Sequence, residues 1–343
     1  MLNYIVPFLQ QSFPVEDGFL VERRFVRVNH TVSEQTASEQ MLDSVESKNK
    51  ASWRDYIEIT KPGINKSNLI ATFAGYFVAA GLTDLNLVTL ILTLLGTALT
   101  IAGSCTLNNF IDRDIDPLME RTKSRPVADG RIKPATALWY GLTLTLLGLM
   151  LLAVGVNILA AFVAFIGVMV YVLIYSLWLK RTSTLNTVVG GISGAVPPMI
   201  GWVAANPAID LNAWALFLIL FMWQPPHFFA LAMRRVEEYR QAGVPMLPVV
   251  KGFHETKKQT LFFTILLLPS SYLLFYTGTL GWFYLIVSLV LGGIYVVLSI
   301  RGFSAKDDIK WANQMFFYSL IYLTVILLSM VIDILIRDLM RIL

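Results

Sequence analysis

Charged residues are scarce in this chain of 343 residues, of which 15% are charged and 56% are hydrophobic. Because ordinary soluble domains carry roughly 25% charged residues, a water-soluble globule of this length could not cover its surface with so few. This shortage excludes a cytosolic enzyme, a disordered protein and a nucleic-acid-binding protein. The single cysteine, Cys105, excludes a disulfide framework, and the presence of only three histidines argues against a zinc site built from protein ligands.

The first 55 residues differ from the rest of the chain. Gln, Ser, Glu, Asn and Lys dominate residues 29–51, which show no helical or alternating apolar pattern. The apolar opening at residues 4–9 lacks a basic region before it and a cleavage site after it, so it is a poor signal peptide. We therefore expect a mobile, cytoplasmic N-terminal arm over residues 1–55 and a separate membrane domain over residues 56–343.

Long uncharged stretches make up most of the chain after Trp53. A membrane-spanning helix needs about 20 mainly apolar residues, so residues 135–179 and 259–300 are each too long for one span and should each divide into two. Single spans fit five further segments: 67–83, 87–111, 182–209, 211–233 and 311–332. We therefore expect an all-α integral membrane protein, a bundle of nine transmembrane helices.

The basic residues predict the orientation of this bundle. All of the 27 lysines and arginines except Arg337 and Arg341 lie in the N-terminal segment or in alternate loops between spans, and the other loops contain none. The positive-inside rule then makes the N-terminus and the two longest internal loops cytoplasmic. The C-terminus should lie on the opposite side.

An acidic motif opens the first long cytoplasmic loop at residues 108–116, Asn-Asn-Phe-Ile-Asp-Arg-Asp-Ile-Asp. If the preceding span continues as a helix, Asn108, Asp112 and Asp116 share one face at i, i+4 and i+8. Stacked oxygen ligands at the mouth of a helix bundle suit Mg²⁺, which often bridges carboxylates to substrate phosphates. Salt links on a solvated helix end are the alternative interpretation.

Three basic residues follow in the same loop, Arg121, Lys123 and Arg125. Arg and Lys side chains donate hydrogen bonds to phosphate oxygens, so a basic triplet beside acidic residues can bind a diphosphate together with its metal. Plain positive-inside topology explains such a cluster equally well.

The second long loop follows a Pro-Pro pair, Pro225 and Pro226, inside a predicted span, and His227 comes directly after it. We expect the pair to break the helix, and irregular backbone at membrane depth occurs only where it faces protein or a cavity. An ionisable residue within a span is a candidate functional residue. Packing in the helix bundle is the alternative for a single histidine.

These motifs resemble those of the UbiA-type intramembrane prenyltransferases. Residues 108–116 resemble the first aspartate-rich motif of that family, Asn-Asp-x-x-Asp-x-x-x-Asp. The remaining motifs are similar to the haem-farnesylating branch of the family, and the resemblance covers the chain from Trp53 onwards. They lie at residues 121–126, 186–190, 194–198, 226–232 and 243–248.

The resemblance implies a nine-helix prenyltransferase domain over residues 56–343, with a cavity open to the cytoplasmic leaflet of the lipid bilayer. It implies transfer of the farnesyl group of farnesyl diphosphate to a vinyl group of haem b with addition of water, giving haem O and diphosphate. Asn108, Asp112 and Asp116 would then hold Mg²⁺, and Arg121, Lys123 and Arg125 would bind the diphosphate. It also implies a partner, the haem A synthase that uses haem O.

Two departures from the family pattern affect these roles. Asn109 stands where the wider family has an aspartate, and the second aspartate-rich motif is replaced, so Glu238 becomes the candidate second acid near the metal. His227 belongs to the haem-farnesylating pattern, and its role there is iron ligand, proton acceptor or structural hydrogen-bond donor.

Two other functions fit parts of the same pattern. One is a UbiA-type prenyltransferase that acts on a quinone precursor or on chlorophyllide, although the Pro-Pro-His segment argues against it. The other is a secondary transporter, because broken helices and polar residues inside the membrane also occur along substrate pathways. The gathering of charges on one side argues against transport.

Overall fold

The computed structural model describes residues 51–342, and in that range the chain is helical with no β-strand. The predicted N-terminal arm lies outside the described residues except for residues 51–55. A short helix, α1 (Trp53–Glu58), begins inside the range predicted for the arm.

The described chain forms twelve helices, and the longest connection between them is residues 112–133. In order they are α1, α2 (Pro62–Ala80), α3 (Leu87–Ile111), α4 (Pro134–Gly155), α5 (Ile158–Thr182), α6 (Asn186–Ala205), α7 (Leu211–Arg234), α8 (Val236–Gln241), α9 (Leu247–Val250), α10 (Gly252–Tyr276), α11 (Trp282–Arg301) and α12 (Asp308–Ile342). Within α5, residues Val170–Leu179 are π-helical. Two 3-10 turns, Asp112–Asp114 and Asp116–Leu118, follow α3.

Eight helices in residues 51–342 are long and apolar enough to cross a membrane, namely α3 to α7 and α10 to α12. The all-helical membrane architecture is therefore confirmed, and the predicted count of nine is approximate. The remaining predicted span corresponds to α2, whose first turns carry Asn65, Lys66 and Asn68. These polar residues lower the mean hydropathy of α2.

Close backbone contact nevertheless packs α2 against α6. A Cβ atom placed on Gly75 of α2 would lie 2.0 Å from the carbonyl oxygen of Pro198, and one placed on Gly201 of α6 would lie 2.0 Å from that of Thr72. Glycine is therefore required at both positions, since any larger residue would push the two helices apart.

The two long uncharged stretches each divide into two helices, as predicted. Between α4 and α5, the Asn157 side chain accepts a hydrogen bond from the Ala160 N–H at 2.8 Å and so caps α5. Between α10 and α11, Gly278 adopts a positive φ of 73° in the turn. At the same end of the bundle, Asp333 of α12 accepts hydrogen bonds from the backbone N–H groups of Gly281 and Tyr284 at the start of α11.

The predicted break at Pro225 and Pro226 is wrong, because α7 continues through both prolines. Contacts on either side hold the helix: Trp223 Nε1 donates to Ser319 O of α12 at 2.8 Å, and Gln224 Nε2 donates to Gly191 O of α6 at 3.0 Å. Neighbouring helices that pack closely make proline tolerable within a membrane helix.

Candidate active site at the end of helix α3

The acidic motif lies at the point where α3 ends. Asn108 and Asp112 share one helix face as predicted, and Asn108 Nδ2 donates to Asp112 Oδ2 at 2.8 Å. The predicted helical continuation to Asp116 is wrong, because α3 ends at Ile111 and Asp116 begins the second 3-10 turn. Pro117 explains the change, since proline lacks an N–H and disfavours the α conformation at the residue before it.

Both acidic side chains are nevertheless buried, with 0% of Asp112 and 1% of Asp116 exposed. Asp112 Oδ2 also accepts a hydrogen bond from Lys180 Nζ at 2.5 Å. Its other oxygen, Oδ1, has no hydrogen-bond partner within residues 51–342. A buried carboxylate oxygen without a partner is costly, so it marks a position where a cation would be favoured.

A second lysine approaches the motif from another part of the chain. Lys61 adopts a left-handed backbone conformation, with φ of 52°, immediately before α2. Its Nζ donates to Asn108 Oδ1 at 2.5 Å. Asn108 Nδ2 is also 2.9 Å from Ser176 Oγ, so its side-chain amide joins Lys61 to the π-helical segment of α5.

The π-helical segment sets the position of Ser176 and Lys180. The Ser176 hydroxyl donates to Tyr171 O five residues earlier, at 2.8 Å. The wider turn of a π-helix changes which side chains share a face, and such segments often occur at functional sites. Arg181 adds a further connection, because its guanidinium contacts both oxygens of Asp114 at 2.6 and 2.7 Å and so ties the first 3-10 turn to the end of α5.

The predicted basic triplet divides in the structure. Arg125 Nη1 contacts both carboxylate oxygens of Asp116 at 2.9 and 2.7 Å. Arg121 lies near Tyr239 of α8: burial raises the pKa of that phenol, and the Arg121 charge opposes the rise. Lys123 pairs instead with Glu120 on the surface at 2.7 Å.

Glu238 is not joined to the acidic motif by a hydrogen bond or ion pair in the described chain. Its carboxylate accepts from Arg235 Nη1 at 2.6 Å on α8. Residues 51–342 contain no group of three or more His, Cys, Asp or Glu side chains arranged to hold a metal ion. The candidate ligand set is therefore two carboxylates and one amide, each of which now contacts a basic side chain.

His227 lies on α7, and its ring packs against α12. Its ring stacks on Trp223 at 4.9 Å between centroids and on Phe316 at 4.8 Å, with interplanar angles of 18° and 26°. Its Nδ1 lies 2.7 Å from Ser319 Oγ. The hydrogen bonds of His227 within the described range involve α12, and none connects it to Asn108, Asp112 or Asp116.

Lys61, Ser176 and Lys180 join the site although their place in it was not predicted from the sequence. As charges that flank spans, the two lysines indicate only topology, and the π-helical hydrogen bonding that positions Ser176 has no signature in the sequence. Lys180 could have been predicted from its position at the end of a span, because that span must pack beside α3.

The arrangement combines two complementary kinds of group. The buried oxygens of Asn108, Asp112 and Asp116 are hard donors of the kind that bind Mg²⁺. The cationic groups of Lys61, Lys180 and Arg125 lie against them and can donate to an anion that carries several oxygens. The site can therefore hold a divalent cation together with a polyphosphate.

The chain is similar to known proteins of one family. The model of the UbiA prenyltransferase family matches residues 68–321. A protein named protoheme IX farnesyltransferase from Alkalihalophilus pseudofirmus is 53% identical over 293 residues, which cover 84% of this chain and 93% of that protein. Protoheme IX farnesyltransferase 2 of Bacillus subtilis is 49% identical and covers 82% of this chain and 92% of its own length.

Solved structures share the fold at low sequence identity. A digeranylgeranylglyceryl phosphate synthase superposes with a TM-score of 0.70 at 20% identity, over 82% of this chain and 98% of its own. A UbiA homolog from Archaeoglobus fulgidus, solved with GPP and Mg²⁺, gives a TM-score of 0.56 at 15% identity, over 81% of this chain and 99% of its own. An apo UbiA homolog from Aeropyrum pernix gives a TM-score of 0.64 at 16% identity, over 80% of this chain and 98% of its own.

Proposed function

This chain belongs to the UbiA prenyltransferase family, and we propose that it transfers the farnesyl group of farnesyl diphosphate to a vinyl group of haem b. Water is added in the same reaction, and the products are haem O and diphosphate. The observation that carries this proposal is identity at about half of the aligned positions with proteins named protoheme IX farnesyltransferase, over more than nine-tenths of their length. The chain is therefore an enzyme, and its site lies at the end of α3.

We propose Mg²⁺ as the metal of this enzyme, with Asn108, Asp112 and Asp116 as its ligands. The partnerless Asp112 Oδ1 supports this assignment, as do the oxygen donors on either side of it. A UbiA homolog solved with Mg²⁺ and a prenyl diphosphate shares the fold. The ion would neutralise negative charge on the diphosphate as it leaves. Glu238 remains a proposed second acid, and its contact with Arg235 would have to open first.

The basic side chains at the site would bind the diphosphate. Lys61, Lys180 and Arg125 now contact the acids, and each can turn its N–H groups to phosphate oxygens when Mg²⁺ neutralises those acids. Donors that are already in position at the developing charge favour ionisation of the allylic diphosphate. Arg121, near Tyr239, is the next donor that we assign to the diphosphate, while Lys123 would need to leave Glu120 to take part.

The haem-side role belongs to His227 in this proposal. Stacked aromatic rings and a hydroxyl at Nδ1 hold the imidazole, and Nε2, which forms no hydrogen bond within residues 51–342, can contact haem as iron ligand or proton acceptor. The apolar surroundings would also keep water from the farnesyl cation before it reaches the vinyl group.

The chain is an integral membrane protein, and we propose the plasma membrane of a bacterium as its location. The N-terminus and the end of α3 that carries the site would face the cytoplasm, because the basic residues gather there. The division into an N-terminal arm over residues 1–55 and a prenyltransferase domain over residues 56–343 is part of this proposal. The haem A synthase is the proposed user of the product.

Product analysis tests the proposed function. The purified enzyme in liposomes should convert farnesyl diphosphate and haem b into haem O when Mg²⁺ is present, and the product is identified by its mass and absorption spectrum. Omission of Mg²⁺ provides the metal control, and a quinone precursor or chlorophyllide in place of haem b provides the acceptor control. Prenylation of one of those acceptors without haem O would contradict the proposal, and so would substrate uptake without product.

A further inference from the structure

The hydrogen bonds around His227 define which of its ring nitrogens carries the proton. Ser319 of α12 is fully buried, and its Oγ lies 2.7 Å from His227 Nδ1 and 2.5 Å from the carbonyl oxygen of Phe316. A serine hydroxyl has one hydrogen, and a carbonyl oxygen can only accept. The hydroxyl of Ser319 therefore donates to Phe316 O and accepts from Nδ1–H.

The same contacts leave Nε2 as an acceptor. With the proton on Nδ1, a neutral imidazole has its lone pair on Nε2. This atom forms no hydrogen bond within residues 51–342. Trp223 and Phe316 stack on the ring and Phe228 meets it edge-on at 5.2 Å between centroids, so the Nε2 lone pair is the hydrogen-bonding capacity of the ring that no described residue uses.

A second bond makes this geometry rigid. Trp223 stacks on His227, and its Nε1 donates to the backbone oxygen of the same Ser319 at 2.8 Å. Ser319 thus holds α7 through its carbonyl and the imidazole through its hydroxyl. Histidines that bind a metal through one nitrogen usually donate the other N–H to a fixed acceptor, which sets the tautomer and the ring orientation.

We propose that Ser319 is a positioning residue that holds His227 in the Nδ1–H tautomer and so presents the Nε2 lone pair to haem. This proposal rests on the proposed function for its substrate, but the tautomer can be measured without substrate. Iron ligation and proton acceptance both require that lone pair, so loss of Ser319 should weaken either role.

Solid-state ¹⁵N NMR of the enzyme in liposomes tests the tautomer directly. Histidine-selective labelling in a His30→Gln, His254→Gln background leaves His227 as the one labelled residue. We expect a protonated Nδ1 and an unprotonated Nε2 in this protein, and a shift of the proton towards Nε2 in Ser319→Ala. Protonated Nε2 in the parent protein, or an unchanged spectrum in Ser319→Ala, would overturn the proposal.

Ser329 offers a matched control on the same helix. It is also buried, and its hydroxyl donates to the carbonyl three residues earlier, Ile326 O, at 2.7 Å, with no histidine beside it. Ser329→Ala should leave the ¹⁵N spectrum and haem O formation unchanged. Ser319→Ala should lower kcat for haem O roughly 10- to 100-fold, and Ser319→Thr, which keeps a hydroxyl, should restore most of it.

The outcomes separate the two proposals. If the parent enzyme makes no haem O while the ¹⁵N spectra behave as expected, the proposed function fails and the role of Ser319 in setting the tautomer stands. If haem O is formed and Ser319→Ala is as active as the parent, the positioning role is overturned and the function stands. Equal loss of activity in Ser319→Ala and Ser329→Ala would show a packing effect and would also overturn the positioning role.

Discussion

Asp112 combines complete burial with one carboxylate oxygen that has no partner within residues 51–342. Asp112→Asn keeps the shape of the side chain and removes its charge, which leaves Lys180 without its ion-pair partner. We expect kcat for diphosphate release to fall by at least about 100-fold, because charge stabilisation at the reacting group is lost. Enzyme assays at saturating Mg²⁺, together with a thermal-unfolding curve, measure this.

Asp114 is the matched control for Asp112. It lies two residues away in the same 3-10 turn, but its side chain is 59% exposed and it pairs with Arg181 at the surface. Exposed ion pairs contribute about 0–1 kcal/mol, so Asp114→Asn should keep activity within a few-fold of the parent. Equal losses in the two variants would contradict a metal role for Asp112.

Arg125 and Lys123 give a second comparison at the residue scale. Arg125 contacts both oxygens of Asp116, whereas Lys123 is 54% exposed and pairs with Glu120. Because a hydrogen bond to a charged group contributes about 1.5–3 kcal/mol, Arg125→Ala should lower kcat/KM for farnesyl diphosphate by roughly 10- to 100-fold. Lys123→Ala should change it little. Steady-state kinetics decide, and a larger effect at Lys123 would place the diphosphate elsewhere.

At the scale of elements, the contact between α2 and α6 depends on glycine. Gly75→Ala places a methyl group where the Pro198 carbonyl oxygen already lies, and overpacking of this kind costs about 1–3 kcal/mol in the free energy of unfolding. We therefore expect a lower apparent Tm in detergent. Gly63→Ala, in the first turn of α2, meets no atom within 4 Å and should not lower Tm. Equal Tm values for the two variants would show that α2 is free to move away from α6.

The spans and turns could be predicted from the sequence, whereas the continuity of α7 and the π-helical turn could not. Spans and their turns follow from uncharged length and from Gly and Asn residues, which act locally. The continuity of α7 through Pro225 cannot be predicted in this way, because it depends on contacts with residues of α6 and α12 that are distant in sequence. The π-helical turn that brings Ser176 to Asn108 is also set by packing.

Within the site, the acidic and amide residues were easier to predict than the basic side chains that contact them. Asn108 and Asp112 could be placed together because i, i+4 residues share a helix face, and the structure confirms their contact. Their cationic neighbours could not be placed, since Lys61 and Lys180 come from other helix ends and look like ordinary flanking charges. Glu238 was assigned by its place in the motif alone, and the structure pairs it with Arg235.

At the scale of the whole molecule, charge is concentrated at one end of the bundle. The acids after α3 lie there with three basic side chains, while buried acids at the other end have structural roles: Asp333 binds N–H groups at the start of α11, and Asp338 accepts from Leu82 N at 2.7 Å. A substrate with an apolar body and a charged end matches this distribution. Both farnesyl diphosphate and haem b have that shape.

The proposed orientation can be tested by thiol labelling, since Cys105 is buried and is the sole cysteine of the chain. Asp84 and Lys123 are both exposed, and they follow α2 and α3 at opposite ends of α3. In intact spheroplasts, an impermeant maleimide should label Asp84→Cys and not Lys123→Cys, and inverted vesicles should give the reverse. Labelling of Lys123→Cys from outside would place the site on the other face of the membrane and contradict the proposed topology. The unsubstituted chain, with Cys105 buried, supplies the background in both preparations.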